Sequence, residues 1–131
     1  MEPAEAVQAW IAAWNARDAD ALVGLADEDI EVDTPRGTGR GIRALHDYVA
    51  RQSYGVRLFI CPQELHVRGD RVVATGAIEF RSVDEGDKVL ERNEDAAAAF
   101  RLRGDRIARV RPYPDAATAL RAEGFAEANG D

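Results

Sequence analysis

Three short turns cut the second half of the chain into long β-rich runs, and they limit what it can fold into more than any other feature. Gly69-Asp70 separates residues 54–68 from 71–83, Asp84-Glu85-Gly86-Asp87 separates the latter from 88–103, and Gly104-Asp105 leads into 106–113. Long runs rich in β-branched and aromatic residues, joined by turns this tight, form an antiparallel meander. Pro62 interrupts the first run and lacks the N–H a central strand needs, so that strand is expected at a sheet edge or at a bulge.

The first half is helical. Val7, Trp10, Ile11 and Trp14 fall at i, i+3, i+4 and i+7, one apolar stripe of a helix over 3–16. Pro3 suits its first turn, and Glu2 and Glu5 complement the positive helix end. Asn15-Ala16-Arg17-Asp18 breaks it, and Asp18 or Asp20 can cap a second helix that buries Leu22, Leu25, Ala21 and Ala26. Residues 29–34 alternate as a short strand, 35–41 read as a glycine-rich loop, and Ile42, Leu45 and Val49 mark a third helix ending near Gln52. Pro114-Asp115 starts a last helix over 116–123, and nothing in the tail after Gly124 signals order. The order α-α-β-α-β-β-β-β predicts an α+β fold in which helices cover one face of a curved antiparallel sheet.

Composition narrows the function. At 131 residues, one domain over 1–131 is expected. Of the 46% hydrophobic residues, 24 side chains are alanine, so one modest core is the limit. The net charge of −7 sits almost wholly in residues 1–33, which carry nine acids and one base. An acidic chain without a basic segment does not suit phosphate neutralisation, so nucleic acid is not expected as a partner. No apolar run approaches a membrane span, and the opening MEPAEAVQAW does not read as a signal peptide, which makes the cytoplasm the expected location. Cys61 is the single cysteine, and His46 and His66 lack metal-ligand spacing, so no disulfide, metal or cofactor is expected. The GTGRG run at 37–41 lacks the Lys-Ser/Thr ending of a phosphate loop.

The register from Val7 to Asp18, then Leu22 to Asp33, together with Arg40-Gly-Ile-Arg-Ala-Leu and the 106–115 segment, resembles the nuclear transport factor 2-like superfamily. Its members include SnoaL-like polyketide cyclases, ketosteroid isomerases, scytalone dehydratases and limonene epoxide hydrolases. The resemblance covers residues 3–120 and implies a cystatin-like, cone-shaped roll with a pocket between the sheet and the first helix. It also implies a homodimer through the outer sheet face. It points Thr75, Ala77 and Glu79 into the cone, with Arg92, Glu94, Ala96, Ala98, Phe100 and Leu102 on the next strand and Ala108, Val110 and Pro112 on the last. Arg101, Arg103, Arg109 and Arg111 then form a stripe on the outer surface, either solvated or used for dimer or anion contact.

Residue by residue, the three groups of a ketosteroid isomerase fall on Trp10, Thr34 and Ala98, so that mechanism is not expected. The epoxide hydrolase set falls on Ala77, Glu79 and Pro112 and keeps one acid. What remains is a pocket for a small, mostly apolar molecule, bordered by Trp10, Trp14, Thr34, Ala77, Ala98, Phe100, Val110 and Pro112. Glu79 or Glu94 is the candidate proton-transfer group, Arg92 the candidate stabiliser of negative charge, and Asp33 the candidate base beside Thr34. Their bland alternative is a set of ion pairs holding strands in register, with Trp10 and Trp14 as core. Cofactor-free isomerisation, cyclisation, dehydration or hydration, a non-catalytic binder and a dimerisation module all stay open.

Overall fold

The computed structural model describes residues 1–34, 36–51 and 55–125; the expected helix end near Gln52, the strand start at Tyr54 and most of the tail after Gly124 lie outside them. The chain runs α1 (Pro3–Asn15), α2 (Ala19–Leu25), β1 (Ala26–Thr34), β2 (Gly37–Arg40), α3 (Ile42–Arg51), β3 (Val56–Arg68), β4 (Arg71–Ser82), β5 (Lys88–Arg103), β6 (Arg106–Tyr113) and α4 (Ala116–Ala122). Glu5 accepts the free Glu2 N–H at the start of α1, at 2.9 Å, and Asp18 caps α2 through Ala21 N–H at 3.1 Å. Two expectations change here. The 35–41 segment contains strand β2, and Ala26 begins β1 rather than ending α2.

The six strands form one curved sheet in the order β2-β1-β6-β5-β4-β3. The expected meander β3-β4-β5-β6 is antiparallel throughout, but β1 joins β6 in parallel, with Val32 opposite Val110. The sheet is therefore mixed, not purely antiparallel. Pro62 sits on edge strand β3 and beside a bulge between Pro62 and Glu64.

An exposed strand edge needs partners for its backbone groups, and the end of α1 supplies them to β3. The Asn15 side-chain amide donates to Ile60 O at 2.8 Å and accepts from Ile60 N–H at 2.9 Å. The Trp14 indole and Arg17 both donate to Leu58 O, at 3.0 and 2.9 Å. Asn15, which in sequence only breaks a helix, is a clamp between helix and sheet.

α1 covers one face of the sheet with a core that includes Val7, Trp10, Ile11, Leu22, Ile30, Val72, Ala74, Phe100 and Ile107. On the opposite face, α4 and Phe125 pack on Val73, Ala97 and Ala99. Val72 and Val73 are thus both fully buried while pointing opposite ways.

That double burial corrects the expected facing of β4. Its even-numbered residues face α1, so the side chains of Thr75, Ala77 and Glu79 stand on the other face, one residue out from the expectation, although Thr75 and Ala77 still border the space beneath α1. On β5, Ala98, Phe100 and Leu102 face α1 as expected. A register shift between Ala96 and Asn93 then changes the alternation, and Arg92 comes opposite Glu79 on the outer face. A further register shift, between Arg101 and Leu102, brings Ile107 rather than Ala108 into the core.

Candidate functional site

An apolar cavity of about 90 Å³ lies between α1, α3 and the concave face of the sheet. Trp10 and Trp14 border it from α1 and Tyr48 from α3. Leu58, Ile60 and Pro62 line it from β3, and Ala74, Gly76, Ala77 and Ile78 from β4. Ala96, Ala98 and Phe100 on β5, then Val110 and Pro112 on β6, complete most of the wall. No carboxylate, histidine, lysine or arginine among the described residues borders it. The small side chains Ala74, Ala96 and Ala98 leave the space that larger ones would fill.

The two indoles differ in role. Trp14 is tied to Leu58 and stacks on Tyr48, with ring centroids 5.0 Å apart. Trp10 is equally buried and lines the same cavity, but no hydrogen bond of its indole is seen among the described residues. Tyr48 is a wall residue that the stripe Ile42, Leu45 and Val49 does not include. The signal for it is its spacing of three from Leu45, which places it on the same helical face.

Of the expected ligand contacts, Trp10, Trp14, Ala77, Ala98, Phe100, Val110 and Pro112 border the cavity. Thr34 does not; it lies on a neighbouring groove, where its hydroxyl donates to Gly37 O at 3.0 Å and accepts Arg36 N–H at 3.1 Å. The four expected catalytic residues also lie elsewhere. Glu79 accepts from Arg81 at 2.9 and 2.6 Å and from Arg92, while Arg92 donates to Glu94 at 2.7 Å. The hydrogen bond from Arg81 holds the Glu79 carboxyl below the usual range against the opposing effect of burial, with Arg92 adding to it. Glu79 is therefore ionised near neutral pH, the wrong state for a general acid. Around it, the guanidiniums of Arg81 and Arg57 lie 3.9 and 4.8 Å from the centroid of the Phe59 ring. Burial, then repulsion from Arg57, lowers the neighbouring Arg17 to about 10. The ion pairs of Glu79 with Arg81 and Arg92, and of Arg92 with Glu94, join β4 to β5 on the outer face.

Asp33 is equally engaged. It accepts from Thr38 Oγ1 at 2.6 Å and from Arg109 at 3.1 and 2.9 Å, and Arg111 lies 3.7 Å away. Burial alone would raise its pKa, but the hydrogen bonds from Thr38 and Arg109 and the two positive charges outweigh it and hold the pKa low. Because the folded value lies below the unfolded one, about 3.9, the pairing stabilises the fold fully above that pH. The contribution fades as pH falls through the lower, folded value. Asp33→Asn is expected to cost about 1–2 kcal/mol at pH 7, and the gap to wild type should shrink below pH ~4. Urea midpoints at neutral pH and at pH ~3 read this directly; a gap of unchanged size in acid would contradict it.

Arg103 reaches Asp27 at 3.2 Å. Three of the four arginines in the outer stripe thus meet carboxylates of β1 in their own chain. Among the described residues no group of three or more His, Cys, Asp or Glu is placed to hold a metal ion, and no helix is long and apolar enough to cross a membrane.

The SnoaL-like domain family matches residues 7–110. The chain belongs to that family. Solved structures place this SnoaL-like domain in the same fold. A candidate polyketide cyclase from Xanthomonas campestris pv. campestris is 24% identical, with a TM-score of 0.71 over 91% of this chain and 94% of that one. An NTF2-like protein from Burkholderia xenovorans LB400 is 27% identical, with a TM-score of 0.69 over 92% and 94%. TerC, co-crystallized with polyporic acid, is 22% identical, with a TM-score of 0.70 over 92% and 95%. An uncharacterized protein from Novosphingobium aromaticivorans, 21% identical with a TM-score of 0.66 over 86% and 98%, is described as having a cystatin fold. None of the curated proteins compared matches the chain.

Proposed function

We propose that this SnoaL-like protein binds a small, mostly apolar organic molecule in the cavity beneath α1, with the Trp10 indole N–H as the hydrogen-bond donor that orients it. The observation that carries the reading is the lining itself: a mostly apolar space that no carboxylate, histidine, lysine or arginine of the described residues borders, with Trp10 on its wall. It also weighs against a pure dimerisation module, which needs no cavity. Glu79, Arg92 and Glu94 serve the sheet in this reading, and proton transfer by them is not part of it. The competing reading is cofactor-free cyclase chemistry in the same cavity, as the description of the Xanthomonas neighbour suggests for that protein. At 24% identity that likeness speaks for the fold alone.

The test uses 2-naphthalenemethanol as probe. Wild type should bind it with quenching of tryptophan fluorescence, since the chain's two tryptophans both border the cavity. Ala98→Phe, whose ring would take up the space, should weaken binding at least tenfold, about 1.4 kcal/mol, while the circular dichroism spectrum is kept. Glu79→Gln should bind as wild type does. Undiminished binding by Ala98→Phe would overturn the assignment. Homodimerisation through the outer sheet face belongs to the same reading, and a monomer mass of 14.3 kDa by light scattering at micromolar concentration would remove it.

A further inference from the structure

The apolar cavity ends beside a cluster of positive charge. The parallel register runs to Val32–Val110, and beyond it Thr34 and Pro112 border one cleft. Pro112 borders both the cavity and an open cleft formed with Asp33, Thr34, Thr38, Arg109 and Arg111. Tyr48 borders both the cavity and a groove of about 200 Å³ that holds Thr34 and Arg36. Three hollows therefore meet around Thr34, Tyr48 and Pro112.

Among the described residues, the charged ones lining the cleft and the groove are Arg36, Arg109, Arg111 and one acid, Asp33. Arg109 is spent on Asp33 through two hydrogen bonds. Arg111 pairs with Asp33 through charge alone: its Nε is 3.7 Å away, outside hydrogen-bond range, and its side chain is about half exposed, with the guanidinium over the Tyr113 ring. Arg36 is exposed on the groove. Among the described residues this rim has two cations in excess, at odds with a chain whose net charge is −7, and it adjoins the cavity at Pro112 and Tyr48.

We infer that the ligand is an amphipathic carboxylate, with an apolar body against Trp10 and the alanine wall and its anionic head at Arg111 and Arg36. Guanidinium presents paired N–H donors that match a carboxylate's two oxygens. The inference rests on the cavity reading above and adds the class of ligand.

Two probes of nearly equal shape separate the two ideas: 2-naphthoate and neutral 2-naphthalenemethanol, titrated by tryptophan fluorescence against the full chain. At low salt the carboxylate should bind about tenfold more tightly. Arg111→Gln, and more strongly the Arg36→Gln/Arg111→Gln pair, should cut that preference to about twofold or less, leaving the affinity for the alcohol unchanged. About 0.5 M NaCl should reduce it in the same direction, because exposed charges are screened. Equal affinity for the two probes in wild type, or a preference that survives both substitutions, would overturn the carboxylate assignment and leave the cavity reading standing. Binding of neither probe would overturn both.

Discussion

Gly76→Ala is expected to destabilise the protein by about 2–4 kcal/mol, because the new side chain meets both strain and a clash. Gly76 has φ of +152°, and a Cβ there would lie 2.6 Å from both Cys61 O and Gln63 N. Both contacts are backbone atoms of the Pro62 bulge, which cannot rotate away as the end of a side chain can. The bulge and the glycine form one device: the edge strand bends toward β4 at the point where β4 has no side chain, and the cavity wall curves there. In urea the midpoint should fall by about 1–2 M with little change in slope. Gly24→Ala is the control, since Gly24 lies in α2 and an added Cβ meets nothing within 4 Å. It should be neutral or gain up to about 1 kcal/mol from helix propensity. A loss below about 0.5 kcal/mol for Gly76→Ala would show that the bulge relaxes freely.

Trp14→Ala should cost about 3–5 kcal/mol, the range for deleting a large buried aromatic. The side chain is 2% exposed, stacks on Tyr48, carries Arg17 over its face at 4.6 Å and bonds to Leu58. Its loss opens a void and loosens α1 from β3 at once. Trp14→Phe separates these effects. It keeps most of the packing, and Leu58 O still accepts from Arg17, so the cost should be only about 1–2 kcal/mol. Chemical denaturation of both variants checks the ranking; equal costs would mean that the hydrogen bond, not the ring, holds the helix to the edge.

The two positions differ in how far the sequence reveals them. Trp14 stands in a helical stripe that any periodicity reading finds. Gly76 is one glycine in a long strand, and the sequence says only that something there is unusual; which backbone approaches it depends on β3 folding back with a bulge at Pro62. Asn15 and Tyr48 fall between these cases. Tyr48 lies on the apolar face of α3, which makes it legible from spacing. Asn15 is not legible in that way, because its partner Ile60 is 45 residues away.

The expected catalytic set does not border the cavity, for a physical reason. Alternation along a strand reports which residues face the core only when one face is polar. In β4 both faces are covered, one by α1 and the other by α4, so Val72, Val73, Ala74, Thr75 and Ala77 are all buried. The pattern then carries no parity, and a one-residue slip sends Glu79 from the cavity to the outer face. On β5 the alternation holds through Ala98, Phe100 and Leu102, and a bulge before Ala96 reverses it for Arg92.

Local signals determined the order of elements, the amphipathic α1, the tight turns of the meander and the edge position of Pro62. Their physics acts within a few residues: helical periodicity, turn chemistry and the missing proline N–H. The tertiary structure alone decided the parallel pairing of β1 with β6, the facing of β4 and the bulges. Those depend on groups far apart in the chain and on which faces the helices cover. They leave a mostly apolar cavity bordered by Trp10, and they put the carboxylates elsewhere.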